Sequence, residues 1–502
     1  MEHVPTRAAR LSLPATVKVI VTLLFMLTLS AGLTERAECR PPVKTADARA
    51  RYIFLFIGDG MGPAQVSLGS HVLNDGKSLV MTSLPVTGTI TTRASDQLIT
   101  DSAAAGTALA TGHKTTVGTI SMAPNRTDPF VTIAEMARSK GMKTGIVSSV
   151  GIDDATPACF YAHNAKRSNL YDIATRMASS GFDYFAGGYA FGDFPENRAR
   201  SSAFRGEIPA LMRSAGYTIT RNAEELRAIR PGTRCWAFTG YDSKAAMDYA
   251  MDRHQGDIDL AGFTREGIRL LDNPAGFFMM VEGGKIDWAC HANDAAAAAL
   301  DVIALDRAIQ EALAFYRRHP SETLVVITAD HECGGLTLGN AKNGYIFRPA
   351  LLRLQKVSMQ RFTEKVAAWQ KSGTLSFTAA MDSVRVYYGL GNVAADSSLA
   401  LTSADSLALR KSFSETMKPG SALISDAKVS ADLFSHSVTR ILDEKAGIGW
   451  TTNAHTAVPV PVFAIGRGAG AFGGQYDNTG IAEKIIQIAK LKQIPANGHS
   501  IR

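Results

Sequence analysis

Carboxylates and imidazoles recur along this chain at spacings that suit metal ions. Asp287 and His291 are four residues apart, so a helix over Ile286 to Ala292 would put both side chains on one face. Asp330 and His331 are adjacent, and on a turn each can reach an ion. His455, shortly before the apolar stretch at Pro461, is a further candidate imidazole. Carboxylate plus imidazole without thiolate suits a catalytic Zn²⁺, whereas an all-oxygen set such as Asp59, Thr156 and Glu282 suits Mg²⁺. Two kinds of metal are therefore implied. A nucleophile is offered by Ser102, which heads the small-residue run Ala103-Ala104-Ala105-Gly106 and reads as the N-cap of a helix. The unpaired N–H groups and positive dipole end at a helix start favour an anion there, whether an alkoxide or a phosphate.

Short, nearly continuous apolar runs explain how such groups can meet. Tyr52 to Ile57, Thr144 to Val147, Phe277 to Val281, Thr323 to Thr328 and Pro461 to Ile465 lack the in-out alternation of half-exposed strands. Helical spacing fills Val131 to Lys140, Asn169 to Ser180 and Ala292 to Arg318. The expected fold is α/β: a three-layer α/β/α sandwich around a mostly parallel central sheet. Four of the five runs lead into polar residues: Asp59, Asp153 with Asp154, Glu282, and Asp330 with His331. In a parallel sheet those positions share the C-terminal edge, where α/β proteins bind ligands. One Asp after a strand is usually a turn former; four strands aiming acids at one edge are read as a site.

Length and composition bound the rest. A chain of 502 residues with 46% hydrophobic and 20% charged content can bury one large core or two to three ordinary ones. Residues 1–39 read as a signal peptide, with Arg7, Arg10 and Lys18 ahead of the apolar run Val19 to Leu33 and the small residues Ala37 and Cys39 at the two places a signal peptidase needs. The expected location is periplasmic or secreted, with no membrane attachment after cleavage. Without residues 1–39, which hold four basic and three acidic residues, the net charge of +7 becomes +6. With no long basic run, that excess argues against nucleic acid as a specific partner and is compatible with small anionic substrates. Cys159, Cys235, Cys290 and Cys333 can be disulfides in an exported protein or buried thiols, and their spacing does not assign a pairing. Residues 40–502 are expected to form one catalytic domain. At about 340–445 the strand-like runs stop and helical pieces at Arg361 to Gln370, Ser403 to Met417 and Ser430 to Lys445 suggest a largely helical insertion.

From Tyr52 to about Gly466 the chain resembles alkaline phosphatases of the bacterial periplasmic type. The resemblance rests on Gly58-Asp59-Gly60-Met61-Gly62, Thr100-Asp101-Ser102-Ala103-Ala104, Asp154-Ala155-Thr156-Pro157, Glu282-Gly283, Asp287 with His291, Asp330-His331-Glu332 and His455-Thr456, in that order. It implies two Zn²⁺ and one Mg²⁺ per chain and a two-step hydrolysis of diverse phosphomonoesters through a phosphoserine at Ser102. Asp287, His291 and His455 would hold one zinc; Asp330, His331 and Asp59 the second, with Asp59 bridging to Mg²⁺. Thr156 and Glu282 would complete the magnesium ligands, and Asp154 would hold its waters. Asp101 would orient the site, and Arg167 would grip two phosphate oxygens with its planar fork; Lys166 is the neighbour if the register slips by one. A homodimer is left open by the resemblance. Two features depart from the best-known bacterial branch: Trp288 stands where that branch has lysine, and the long gap from His331 to His455 holds the insertion. The alternatives are a phosphodiesterase of the same superfamily and a secreted metal- or phosphate-binding protein without turnover. A sulfatase would need a Cys/Ser-x-Pro-x-Arg context, which Ser102 lacks.

Overall fold

Among the described residues, ten strands make the central sheet. Across it the order is Gly474–Asp477, Val86–Thr91, Val460–Gly466, Thr323–Thr328, Tyr52–Ile57, Phe277–Glu282, Lys143–Ser148, Tyr184–Gly187, Cys235–Phe238 and Thr218–Thr220. Every pairing is parallel except those of Val460–Gly466, which runs antiparallel to both neighbours. The computed structural model describes residues 49–492 except 73–76, 240–244, 374–375, 419, 422–423 and 426–429, together with residue 494. The expected signal peptide at residues 1–39 lies outside the described residues.

The middle strands are apolar on both faces because helices cover both. Tyr52–Ile57, Phe277–Glu282 and Thr323–Thr328 are buried throughout. Their large side chains, such as Phe54, Phe56 and Phe277, each contribute roughly 1.5–3 kcal/mol by leaving water. The long helix Ala295–Arg318 packs against Leu260–Leu271 and Pro63–Val72. Helix Ser102–Thr111 is buried along its whole length and packs against Ala155–Ala158 and Thr479–Ala489. Its alanines permit that closeness, and it ends at Gly112, whose φ of 77° is left-handed.

The expected runs at Tyr52 to Ile57 and Thr323 to Thr328 match observed strands residue for residue, and the other three are one residue longer at one or both ends. Five further strands were not read from the sequence. Thr218–Thr220 and Gly474–Asp477 are sheet edges of three and four residues, and Val86–Thr91 is mostly half-buried, so none carries a continuous apolar run.

Between Leu338 and Ile448 the chain leaves the sheet. The described residues of this excursion include four α-helices, Met359–Ser372, Phe377–Tyr388, Ser403–Thr416 and Leu433–Ala446, and one short antiparallel pair, Ile424–Ser425 and Ser430–Ala431. Its two ends are clasped where Thr337–Leu338 pairs with Ile448–Gly449.

Candidate active site

Four adjacent parallel strands deliver the acids. Thr323–Thr328, Tyr52–Ile57, Phe277–Glu282 and Lys143–Ser148 are neighbours, and their C-terminal ends are level: Ile57 pairs with both Thr328 and Glu282, and Ser148 with Glu282. Asp330 and His331, Asp59, Glu282, and Asp153 with Asp154 therefore emerge along one edge. His455 joins them because it lies just ahead of Val460–Gly466, which runs the other way. It precedes Val460, which is the end of that strand lying at the same edge.

Two groups of donor atoms converge there. In the first, Asp287 and His291 lie on the helix Lys285–His291 as the i, i+4 spacing predicted, and His455 comes from the short strand His455–Thr456, which pairs with Glu332–Cys333. The His291 and His455 Nε2 atoms are 3.2 Å apart, and they lie 3.3 and 3.5 Å from the two oxygens of the Asp287 carboxylate. Neither Asp287 oxygen accepts a hydrogen bond. Each imidazole gives its Nδ1–H to a backbone carbonyl, Asn453 at 2.6 Å for His291 and Thr100 at 2.8 Å for His455. A carbonyl can only accept, so in the neutral rings both Nε2 atoms present bare lone pairs. Two lone pairs and a buried carboxylate facing one another, with rings held by carbonyls behind, is the donor chemistry of a Zn²⁺ site. Burial alone would raise Asp287, yet His291 and His455, when protonated, hold its carboxyl well below the usual range.

The second group is Asp59, Asp330 and His331, all buried. His331 Nε2 lies 3.3 Å from both Asp59 Oδ1 and Asp330 Oδ2, and 3.2 Å from Ser102 Oγ. Asp330 is fixed by the N–H groups of Gly60 and His331. Burial and the charge of Asp287 push Asp330 up to about 6, while burial and His455 hold His331 well below its ordinary value. A carboxylate that resists ionising beside an imidazole that resists protonation is a pair that a cation would satisfy.

Thr156 and Glu282 flank this second group. Thr156 Oγ1 lies 3.5 Å from Asp330 Oδ2, and Glu282 accepts the Ser148 hydroxyl. Asp153, next to Asp154, is turned away to hold the N–H groups of Phe191 and Gly192.

Ser102 is not the cap of its helix, as its place in the sequence suggested. Asp101 is the N-cap, its Oδ1 accepting from Ala104 N at 3.0 Å, and Ser102 is the first helical residue. The shorter Ser102 side chain is thereby left free of capping, with Oγ directed toward His331. Asp101 also holds Arg167: Nη1 donates to Asp101 Oδ2 and Nη2 to Asp154 Oδ1, each at 3.0 Å. Burial would lower Arg167, but Asp154 and Asp101 override it and raise the group. Lys166 is exposed, whereas Arg167 is the one of the two that Asp101 and Asp154 hold.

Sequence reading missed the carbonyls of Thr100 and Asn453 and the thiol of Cys333, which lies within reach of Asp287, His291 and His455. Cys333 was legible only as the third residue after Asp330; its pairing with His455 across a short antiparallel ladder is what brings it in. Cys159, Cys235, Cys290 and Cys333 are buried free thiols.

The chain as a whole is similar to known proteins. The family profile described as alkaline phosphatase matches residues 50–186 and 201–491. Alkaline phosphatase 4 of Bacillus subtilis is 30% identical over 482 residues, covering 92% of this chain and 95% of that protein. Streptomycin-6-phosphate phosphatase of Streptomyces griseus is 32% identical over 359 residues, 62% of this chain and 78% of that protein. Among solved structures, a cold-active alkaline phosphatase from Shewanella sp. has a TM-score of 0.71 at 28% identity, covering 87% of this chain and 99% of its own. The alkaline phosphatase of the Antarctic bacterium TAB5 has a TM-score of 0.60 at 25% identity, covering 89% and 99%.

Proposed function

The chain belongs to the alkaline phosphatase family and is a phosphate-monoester hydrolase, and on that premise we propose that it works through a phosphoserine at Ser102. The observation that carries this reading is the place of Ser102 Oγ: at the start of a helix, 3.2 Å from Nε2 of His331, whose ring stacks on that of His455 from the first donor group. Asp287, His291 and His455 would hold one Zn²⁺, Asp59, Asp330 and His331 a second, and Asp59, Thr156 and Glu282 a Mg²⁺, with Asp154 beside them. A variant of the TAB5 enzyme carries Mg bound in its M3 site. When bound, such ions supply the positive charge that a phosphoryl dianion and its entering and leaving oxygens require.

The residues of the chain do the remainder. Ser102 Oγ attacks phosphorus in line with the ester oxygen, the P–O ester bond breaks, and the leaving alcohol departs with a proton. Water then attacks the phosphoserine, restoring the Ser102 hydroxyl and releasing phosphate. Arg167 holds two non-bridging oxygens with N–H groups that Asp101 and Asp154 do not use. The positive end of the Ser102–Thr111 helix faces the same oxygens. These groups grip the phosphoryl end, which supports action on diverse monoesters. A diester offers one free oxygen fewer to this grip, so the arginine favours monoesters over the diesterase reading. Export through residues 1–39 to a periplasmic or secreted location belongs to the same proposal; among the described residues no helix is long and apolar enough to cross a membrane.

The test compares an aryl phosphate with its methyl diester, before and after chelation and with Zn²⁺ and Mg²⁺ restored. Monoester turnover that chelation abolishes, metals restore and Ser102→Ala removes is the expected result. Acid quenching should trap phosphate on the peptide bearing Ser102. A Ser102→Ala variant with near-normal turnover would overturn the mechanism.

A further inference from the structure

The segment from Trp450 to Thr456 is a strap that serves both imidazoles of the first donor group. It carries His455, and its Asn453 carbonyl holds His291. One side of the strap is pinned to Gly334: the Gly334 N–H donates to Ala454 O at 2.9 Å, and its carbonyl accepts from Thr451 and Thr452 at 3.2 Å. The Trp450 ring abuts this glycine, so that a Cβ at 334 would overlap ring carbons.

The other anchor comes from outside the catalytic sheet. Trp450 Nε1 donates to Asp443 Oδ2 at 2.8 Å, and Asp443 sits in the last turn of Leu433–Ala446, the final helix of the excursion. The same oxygen accepts from Ala295 N at 3.4 Å, at the start of the long helix that follows His291 by three residues. Asp443 thus ties three elements together: the excursion, the helix after His291, and the strap that ends in His455. A buried side chain with no catalytic contact joins the two segments whose relative placement decides whether His291 and His455 point at one spot.

We propose that Asp443 is a positioning residue for the metal site, acting through the Trp450 indole to set the strap that aims His455 and His291 at Asp287. The inference rests on the reading of that trio as a metal site. It also assigns work to the excursion, whose last helix sets the position of a ligand. Asp443 is fully buried, and burial together with nearby Asp294 raises its carboxyl well above the usual range. An uncharged side chain that still accepts the indole N–H therefore suits the position.

The experiment measures Zn²⁺ affinity by competition with a chelator, for the full chain and for Trp450→Phe, Asp443→Ala and Asp443→Asn, alongside thermal melts of the metal-stripped proteins. Trp450→Phe deletes the indole N–H together with part of the bicyclic ring against Gly334 but leaves Asp443 in place, so it remains a test if Asp443→Ala fails to fold. Expected are a tenfold or greater loss of affinity for the tightest Zn²⁺ in Trp450→Phe and Asp443→Ala, turnover recovered by excess Zn²⁺, and Asp443→Asn within about threefold of wild type. Unchanged affinity in a folded Trp450→Phe would overturn the proposal, as would an Asp443→Asn that behaves like Asp443→Ala. If the wild-type chain itself bound no Zn²⁺, the metal-site reading beneath the proposal would fall instead.

Discussion

Replacing Arg167 by alanine isolates the phosphoryl grip from the metal chemistry. The guanidinium gives one N–H from each terminal nitrogen to Asp101 and Asp154, leaving three of its five N–H groups for other acceptors. Two charge-assisted hydrogen bonds to phosphoryl oxygens are worth about 1.5–3 kcal/mol each, or about 3–6 kcal/mol together. The side chain is 24% exposed, so water replaces part of that interaction and the lower half of the range applies. At about 1.4 kcal/mol per decade, Arg167→Ala should lose roughly 10²–10³-fold in kcat/KM toward an aryl phosphate monoester. Part of the loss should be a raised KM, because Asp101 and Asp154 then face the dianion without their cation. Arg167→Lys keeps one charge but cannot span both carboxylates, and should lose roughly 10–50-fold. Lys166→Ala should stay within about twofold, since that side chain is exposed beside the site. Steady-state kinetics of the three metal-loaded variants provide the measurement. An Arg167→Ala enzyme within threefold of wild type, or a Lys166→Ala enzyme as impaired as Arg167→Ala, would refute the assignment.

Trp288→Lys adds a cation next to Asp287 and should tighten phosphate inhibition several-fold, an unchanged or weaker inhibition constant refuting this; because Trp288 is nearly buried with the Lys285 ammonium 4.4 Å from its ring, the same change should lower the melting temperature. Gly334→Ala combines a left-handed backbone, φ 87°, with overlap on the Trp450 ring, and should destabilise the fold by about 2–4 kcal/mol in denaturant titration, with Zn²⁺ affinity falling in parallel. Burial pushes Asp153 up to about 7 and Asp294 and Asp301 up to about 6. The native state then keeps protons that the unfolded chain releases near pH 4. Stability of the metal-stripped protein should accordingly fall as pH rises from about 4 to 7, by at most about 1.4 kcal/mol per unit for each group. Chemical denaturation at several pH values checks this, and a rise across that window would contradict it.

The strands that carry the acids were readable because both of their faces are buried. Tyr52–Ile57 and Thr323–Thr328 announce themselves as continuous apolar runs, and the polar residue that ends each run marks the sheet edge. The Asp287/His291 pair was readable for a similar local reason, a helical repeat that puts i and i+4 on one face. Ser102 was readable as a residue but misread as a cap, since Asp101 and Ser102 are both good caps and only the backbone shows which one is outside the helix. The edge strands escaped because a short strand with one neighbour need not be apolar on both faces.

Local order along the chain thus determined which groups this protein brings to its sheet edge, because period and burial are written in neighbouring residues. Tertiary structure alone decided which groups touch. The level ends of four parallel strands put Asp59, Glu282 and Asp330 side by side, and one antiparallel strand returns His455 to them from 124 residues beyond His331. A buried carboxylate in the excursion, Asp443, meets Trp450 just before that return. Such contacts depend on strand order, register and packing between distant segments, and no spacing within one segment encodes them.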